Sequence, residues 1–238
     1  MNKIIVDTET FELNFDETSD EYIFLDVKCS IINIKVNNNK FNKLVVFVKN
    51  NNLKINLEMK DNSHLEINNL GIDSSTNYDI LIHNECHLIL VDSILSKKDS
   101  INNLNINNIG KNNYSKIYTN GINLENNKLY FQINGIVSKN STNSILSENS
   151  KIINLKDGDS KIIPNLIIDT KEVKADHSAF IGTFTKDELF YLMSRGIKEE
   201  FAKNLLIKSV LLKGMELDKE KFIREIGEYL KIGGDIFE

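Results

Sequence analysis

The sequence predicts a mainly β protein that turns helical near its C-terminus. Three observations carry this. Up to about Thr170 the chain is a succession of short apolar or alternating runs rich in β-branched residues, the pattern of strands with a buried face. The runs are separated by Asn-rich segments at 37–39, 50–52, 112–113 and 126–127. Asn makes turns because it tolerates left-handed backbone angles and hydrogen-bonds its own main chain. After Gly182 the apolar spacing becomes that of amphipathic helices.

The strand runs follow in order. They are Leu44 to Val48, Leu53 to Leu57, Leu65-Glu66-Ile67, Ile80-Leu81-Ile82 and Leu88 to Val91. Leu104-Asn105-Ile106, Leu129 to Ile133 and Lys151-Ile152-Ile153 continue them. Many short strands with polar turns fit either a sandwich or barrel, or a stacked solenoid. No crisp repeat chooses between these. The Asn tracts themselves read as turns and compositional bias, not as a stacked Asn ladder. The chain holds a single Pro and 11 Gly, so Asn takes over much of the turn chemistry.

Three helices are expected at the end. Thr185-Lys186-Asp187-Glu188 is a capping box, with Leu189, Leu192 and Met193 on one face and Gly196 as the stop. A second helix is expected from about Lys198 to Lys213, with Ala202, Leu205, Leu206 and Ser209 at helical spacing and Gly214 ending it. Asp218 caps a third, whose face is Phe222, Ile223, Ile226 and Leu230, closed by Ile232-Gly233-Gly234. Strands followed by helices predict two regions, a core domain over 1–184 and a helical domain over 185–238.

Composition excludes several functions. With 238 residues the chain can bury a substantial core. A formal net charge of −5 and no basic stripe argue against nucleic acid. No apolar run reaches membrane-spanning length, and the first residues lack the apolar core of a secretory signal. Two cysteines make no disulfide framework. The expectation is a cytoplasmic protein with no membrane partner. There is no Walker A sequence or dinucleotide loop, so nothing marks the chain as hydrolysing ATP by itself.

The stretch 164–206 is the most specific. Pro164 and Leu166 open an extended run, Val173 leads to His177, and Ala179-Phe180-Ile181 ends in Gly182. The run Leu189-Phe190-Tyr191-Leu192-Met193-Ser194-Arg195-Gly196-Ile197 follows. This order resembles the C-terminal core of the SufB/SufD family, the scaffold proteins of the SUF iron–sulfur assembly system. The resemblance implies a right-handed parallel β-helix followed by a small helical domain. It implies a minimal scaffold, not an enzyme, that lacks the N-terminal helical region of longer members and pairs as a homodimer or with a SufB/SufD-like paralogue. It also implies docking of a separate SufC-type ABC ATPase on the C-terminal helices, where Phe190, Tyr191 and Arg195 are the residues to examine. His177, by the same resemblance, lies at the pairing interface and ligates or hands on a transient iron–sulfur cluster. Imidazole is a reasonable iron ligand, and Asp176 is placed to orient it or add an oxygen. The cysteine that SufB-type members carry about one coil upstream is absent from 141–164, which makes the chain SufD-like.

Cys29 is in phase with Ile23, Leu25, Val27 and Ile31, and Cys86 with Ile82, Leu88 and Leu90. Both therefore point inward as small hydrophobes; the sharper alternative is that one accepts and relays sulfur. His83, Glu85 and His87, two apart, would share one strand face, which is either solvated or a divalent-metal site. Two other functions remain open: a purely structural SufD-like partner without cluster ligation, and a β-helix acting on polysaccharide, for which no persuasive carboxylate pair is found.

Overall fold

The computed structural model describes residues 2–16, 20–215 and 219–230. Strands come first, in chain order: β1 (Asn2–Val6), β2 (Thr10–Phe15), β3 (Tyr22–Val27), β4 (Ile31–Val36) and β5 (Phe41–Lys49). Then come β6 (Asn52–Met59), β7 (His64–Ile72), β8 (Ser75–Ile82), β9 (His87–Ser96) and β10 (Ser100–Asn108). The last are β11 (Tyr114–Asn123), β12 (Lys128–Val137), β13 (Ser144–Asn154), β14 (Asp159–Ile168) and β15 (Val173–Gly182). Helices α1 (Lys186–Met193), α2 (Glu199–Leu211) and α3 (Lys219–Tyr229) follow.

Odd-numbered strands form one sheet of eight and even-numbered strands a second of seven, all pairs parallel and each strand beside the one two places on. The chain therefore winds as a parallel β-helix of two facing sheets, one rung per strand pair. The strand stack runs on past Thr170 to Gly182. Inward positions such as Phe15, Ile34, Ile55, Leu90, Phe131 and Ile152 pack into one continuous interior, and alternation along each strand sends the intervening residues outward.

Rung length explains why no repeat was visible. Stacked side chains are separated by 21 residues in the first turns, 23 after that, then 26, 29 and 31. The strands lengthen in parallel, from 6 residues in β2 to 11 in β13. A drifting period leaves no fixed self-similarity in the sequence.

The corners obey the turn reading. Asn50 and Asn112 have φ of 55° and 56°, and Asn62, Asp73, Glu85 and Asn143 are also left-handed. A stacked amide ladder is nevertheless present, contrary to expectation, and it is built from strand residues rather than from the tracts. Asn33 donates to Glu12 at 2.6 Å and Asn56 to Asn33 at 2.7 Å. Further along the same sheet Asn105 donates to Asp79, Asn134 to Asn105 and Asn165 to Asn134, at 2.8, 2.8 and 2.9 Å.

The outer face of the odd-strand sheet is apolar and is covered by helices. Phe24, Val45, Phe47, Leu70, Val91, Leu95 and Ile122 pack with Ile207, Val210, Leu211, Phe222 and Ile226. The sheet also satisfies carbonyls at the end of α2: Ser93 Oγ donates to Leu211 O at 2.6 Å and Asn120 Nδ2 to Lys213 O at 3.0 Å. The buried side of α2 is Ala202, Asn204, Ile207, Val210 and Leu211, not the expected face. Leu205 is 39% exposed, Leu206 half-buried and Ser209 exposed, because the sheet takes the flank carrying Ile207 and Val210. In α3, Phe222 and Ile226 are buried as expected. Gly196 and Gly214 have φ of 86° and 85°, which suits them to end their helices. The expected cap Asp218 and the stop at 232–234 lie outside the described residues.

Candidate functional site

His177 stands on β15, the terminal strand of its sheet, and it is exposed. Its register partner one rung below is Glu148 of β13, so the two side chains leave the same face of adjacent parallel strands. That face is the interior: Ala175, two residues before His177, packs on the core, as does Leu146, two before Glu148. His177 therefore sits over the open end of the solenoid, with Glu148 beneath it.

Glu148 is unusual. It is 1% exposed, and neither carboxylate oxygen has a hydrogen-bond partner. Burial first, then the charge of Asp176, raises its carboxyl to about 7. Room for the side chain comes from Gly135 on β12: a Cβ there would lie 2.4 Å from Glu148 Oε1 and 2.7 Å from Leu146. Asp176 points the other way, as its neighbouring place on the strand requires, and accepts from Ser147 Oγ at 2.9 Å. It does not touch His177; its influence is its charge.

The rung around His177 is unfinished. β14 and β15 end their sheets, and they expose Ile163, Ile167, Ile168, Phe180 and Ile181, the last four by 51%, 41%, 52% and 43%. Edge strands of this kind offer unpaired backbone groups and apolar surface together.

Both cysteines face inward. Cys29 is 1% and Cys86 2% exposed. Cys29 Sγ is 3.4 Å from Ile31 O, and Cys86 Sγ is 3.1 Å from Lys60 O and 3.6 Å from Ser63 Oγ. Burial pushes both thiols up, which holds them in the unreactive protonated form. Cys86 precedes β9, three rungs below β15 along the sheet, roughly 15 Å by strand spacing. The open end thus offers imidazole and carboxylate but no thiolate; these donors fit an iron ion and do not fit a cluster held by cysteines alone.

His83, Glu85 and His87 do not share a strand face. His83 and Glu85 lie in the corner between β8 and β9, where Glu85 takes a left-handed φ of 57°. His83 Nε2 instead lies 3.2 Å from Glu58 Oε1, and His87 stacks between His64 and Tyr114. Among the described residues no three His, Cys, Asp or Glu side chains converge as a metal site, and no helix is long and apolar enough to cross a membrane.

The α1 region forms as its capping box requires. Glu188 N donates to Thr185 Oγ1 at 3.1 Å and Thr185 N to Glu188 Oε2 at 2.8 Å, which holds the Glu188 carboxyl below its ordinary range. No residue of α1 is buried. Phe190 is 72% and Tyr191 56% exposed, and Arg195 stacks over the Tyr191 ring at 4.7 Å.

Glu148 is the residue that sequence reasoning missed. It lies within the stretch inspected for a cysteine, in phase with the inward Leu146 and Ile152. A carboxylate in an apolar phase was the available signal.

Residues 50–210 match the family described as SUF system FeS cluster assembly, SufBD core domain. An iron–sulfur cluster assembly SufBD family protein of Pyrococcus horikoshii is 38% identical over 74 residues, 30% of this chain and 17% of that relative. One from Mycobacterium leprae is 51% identical over 47 residues, 19% of this chain and 12% of that relative. The stretches matched are thus under a fifth of each relative's length. With the family match extending over more than half of its length, this chain belongs to the SufBD family of the SUF iron–sulfur cluster assembly system.

Proposed function

We propose that the chain is a scaffold subunit of a SUF-type assembly complex. Residues 1–184 pair through the terminal rung, with a second copy or a SufB/SufD-like paralogue, and residues 185–238 dock a SufC-type ABC ATPase. The observation that carries this is the unfinished rung: two apolar edge strands at one end of the solenoid, with His177 exposed between them. Pairing there would cover the edges and bring two such histidines together. The nascent cluster is cargo at that junction, held or passed on by His177, with Asp176 contributing charge.

ATP hydrolysis falls to the partner. Phe190, Tyr191 and Arg195 form an exposed aromatic and cationic patch on a helix that gives nothing to the core, which suits a docking role. By contrast α2 and α3 share a core with the sheet, so closure of paired ATPases would pull on the β-stack directly. Family membership supports this reading over a polysaccharide-acting β-helix.

A second reading is favoured by the missing thiolate: the chain couples two ATPases structurally and ligates no cluster. If sulfur passes through the chain, Cys86 or Cys29 must carry it, and Cys86→Ser and Cys29→Ser variants that assemble clusters normally assign both to packing.

The test is co-purification and assembly. Removing residues from Thr185 onward would also strip the cover from the odd-strand sheet, so point variants are preferable. Phe190→Asp with Tyr191→Ala should abolish co-purification with the ATPase while leaving circular dichroism unchanged. Phe180→Lys should convert a pair to a monomer in light scattering. His177→Ala should fold, pair and bind ATPase, yet lower the iron and sulfide recovered after anaerobic purification. Normal iron and sulfide in His177→Ala would leave the structural reading.

A further inference from the structure

A buried carboxylate costs several kcal/mol unless a cation or hydrogen-bond donors meet it. Glu148 has neither, although its strand position is in register with the exposed His177 on the next strand, and its carboxylate occupies a space that exists because residue 135 is glycine. Solenoid interiors do not need such a residue. Its inward neighbours Leu146 and Ile152 are apolar, and Leu at this position would fill the same space without a charge.

We propose that Glu148 is a metal ligand, forming with His177 an oxygen–nitrogen site for a hard or borderline divalent cation, ferrous iron in the setting proposed above. In-register side chains on neighbouring parallel strands leave their backbones about 4.8 Å apart. Ligand bonds of about 2.1 Å from each donor then allow one ion between the imidazole and the carboxylate. The exposed His177 provides the approach, and the apolar walls of Leu146 and Leu166 around the carboxylate exclude competing water. Two protein donors leave the coordination incomplete. Pairing of two terminal rungs would supply a second set, so this site rests on the proposed pairing for its full form but not for its first two ligands. It takes bare iron through hard donors, and the thiolate chemistry of a finished cluster lies elsewhere.

The experiment is an anaerobic titration of the full chain with Mn²⁺, a redox-stable stand-in, and with Fe²⁺, read by calorimetry and by the electron spin echo of bound Mn²⁺. The wild type should bind and show coupling to an imidazole nitrogen that His177→Ala removes. Glu148→Gln should weaken binding at least tenfold, and so should Gly135→Ala, which leaves both ligands in place but intrudes on the carboxylate. Glu172→Gln, at the exposed corner before β15, should bind as the wild type. Should Glu148→Gln fail to fold, Gly135→Ala decides the matter: a folded Gly135→Ala that binds Mn²⁺ within twofold of the wild type overturns the role of the carboxylate. Wild-type protein that binds no Mn²⁺, or Glu148→Gln that binds within twofold of it, overturns the proposal. A monomeric chain with Glu148-dependent binding overturns pairing and leaves the ligand assignment; a paired chain without it does the reverse.

Discussion

The middle of the stack and the rung beneath its open end each bury a carboxylate, and they treat it in opposite ways. Asp92 on β9 is fully enclosed. Asn69 donates to it at 2.6 Å, Thr76 at 2.9 Å and Tyr78 at 3.3 Å. Glu148, two strands along the same sheet, receives no hydrogen bond. Asp92 draws its donors from β7 below it and β8 opposite; the corresponding neighbours of Glu148 include Ile117 and Gly135, which have no side-chain donor to offer. The lesson is that the side chains on the strands below and opposite decide whether a buried acid is structural or available.

The sharpest contrast is between two substitutions of an acid by leucine. Asp92→Leu strands three buried donors and should cost roughly 3–5 kcal/mol in chemical denaturation. Glu148→Leu removes an unpartnered charge and should stabilise by about 1–3 kcal/mol at pH 8. Two losses of similar size would break the comparison.

A smaller effect follows from pH. Burial raises the Asp92 carboxyl from 3.8 to about 6, so the folded state holds this proton more tightly than the unfolded chain. Its contribution to stability is complete below about pH 4 and is lost as pH rises through 6, a change of about 3 kcal/mol. Asp92→Asn should flatten the stability profile between pH 4 and 6 relative to the wild type. Parallel profiles would mean that its donors already hold the carboxylate ionised.

The smallest effect concerns the amide ladder. Asn105 both donates to Asp79 and accepts from Asn134 on the half-exposed outer face, and Asn105→Ala should cost about 1 kcal/mol in thermal unfolding. A larger loss would make the ladder a determinant of register rather than a surface supplement.

Legibility followed the same division. Strands such as Leu129 to Ile133 and the helix opened by Thr185 and Glu188 declared themselves, because period-two burial and capping are local. The inward phase of Cys29 and Cys86 was equally local. The rungs were hidden because their lengths drift, and with them the ladder and the pairing of Glu148 with His177, residues 29 apart with nothing between them to mark the distance. His177 itself was found through its motif. The α2 face was misjudged because Leu205 and Leu206 look like a core pair until the sheet chooses the other flank.

The drifting rung length has a mechanical consequence. α3 straps the early rungs, with Lys221 3.5 Å over the Phe24 ring and Tyr229 donating to Asp73 at 2.6 Å, so a force that peels the winding from its first strand must release that strap before β3 can leave the stack. Once peeling starts, each turn frees its own number of residues. At about 3.5 Å per extended residue, the gain per turn grows from roughly 7 nm for a turn of 21 residues to roughly 11 nm for one of 31. A single molecule stretched between its ends would record the rungs as steps of rising height, and the order of those heights would say which end had given way.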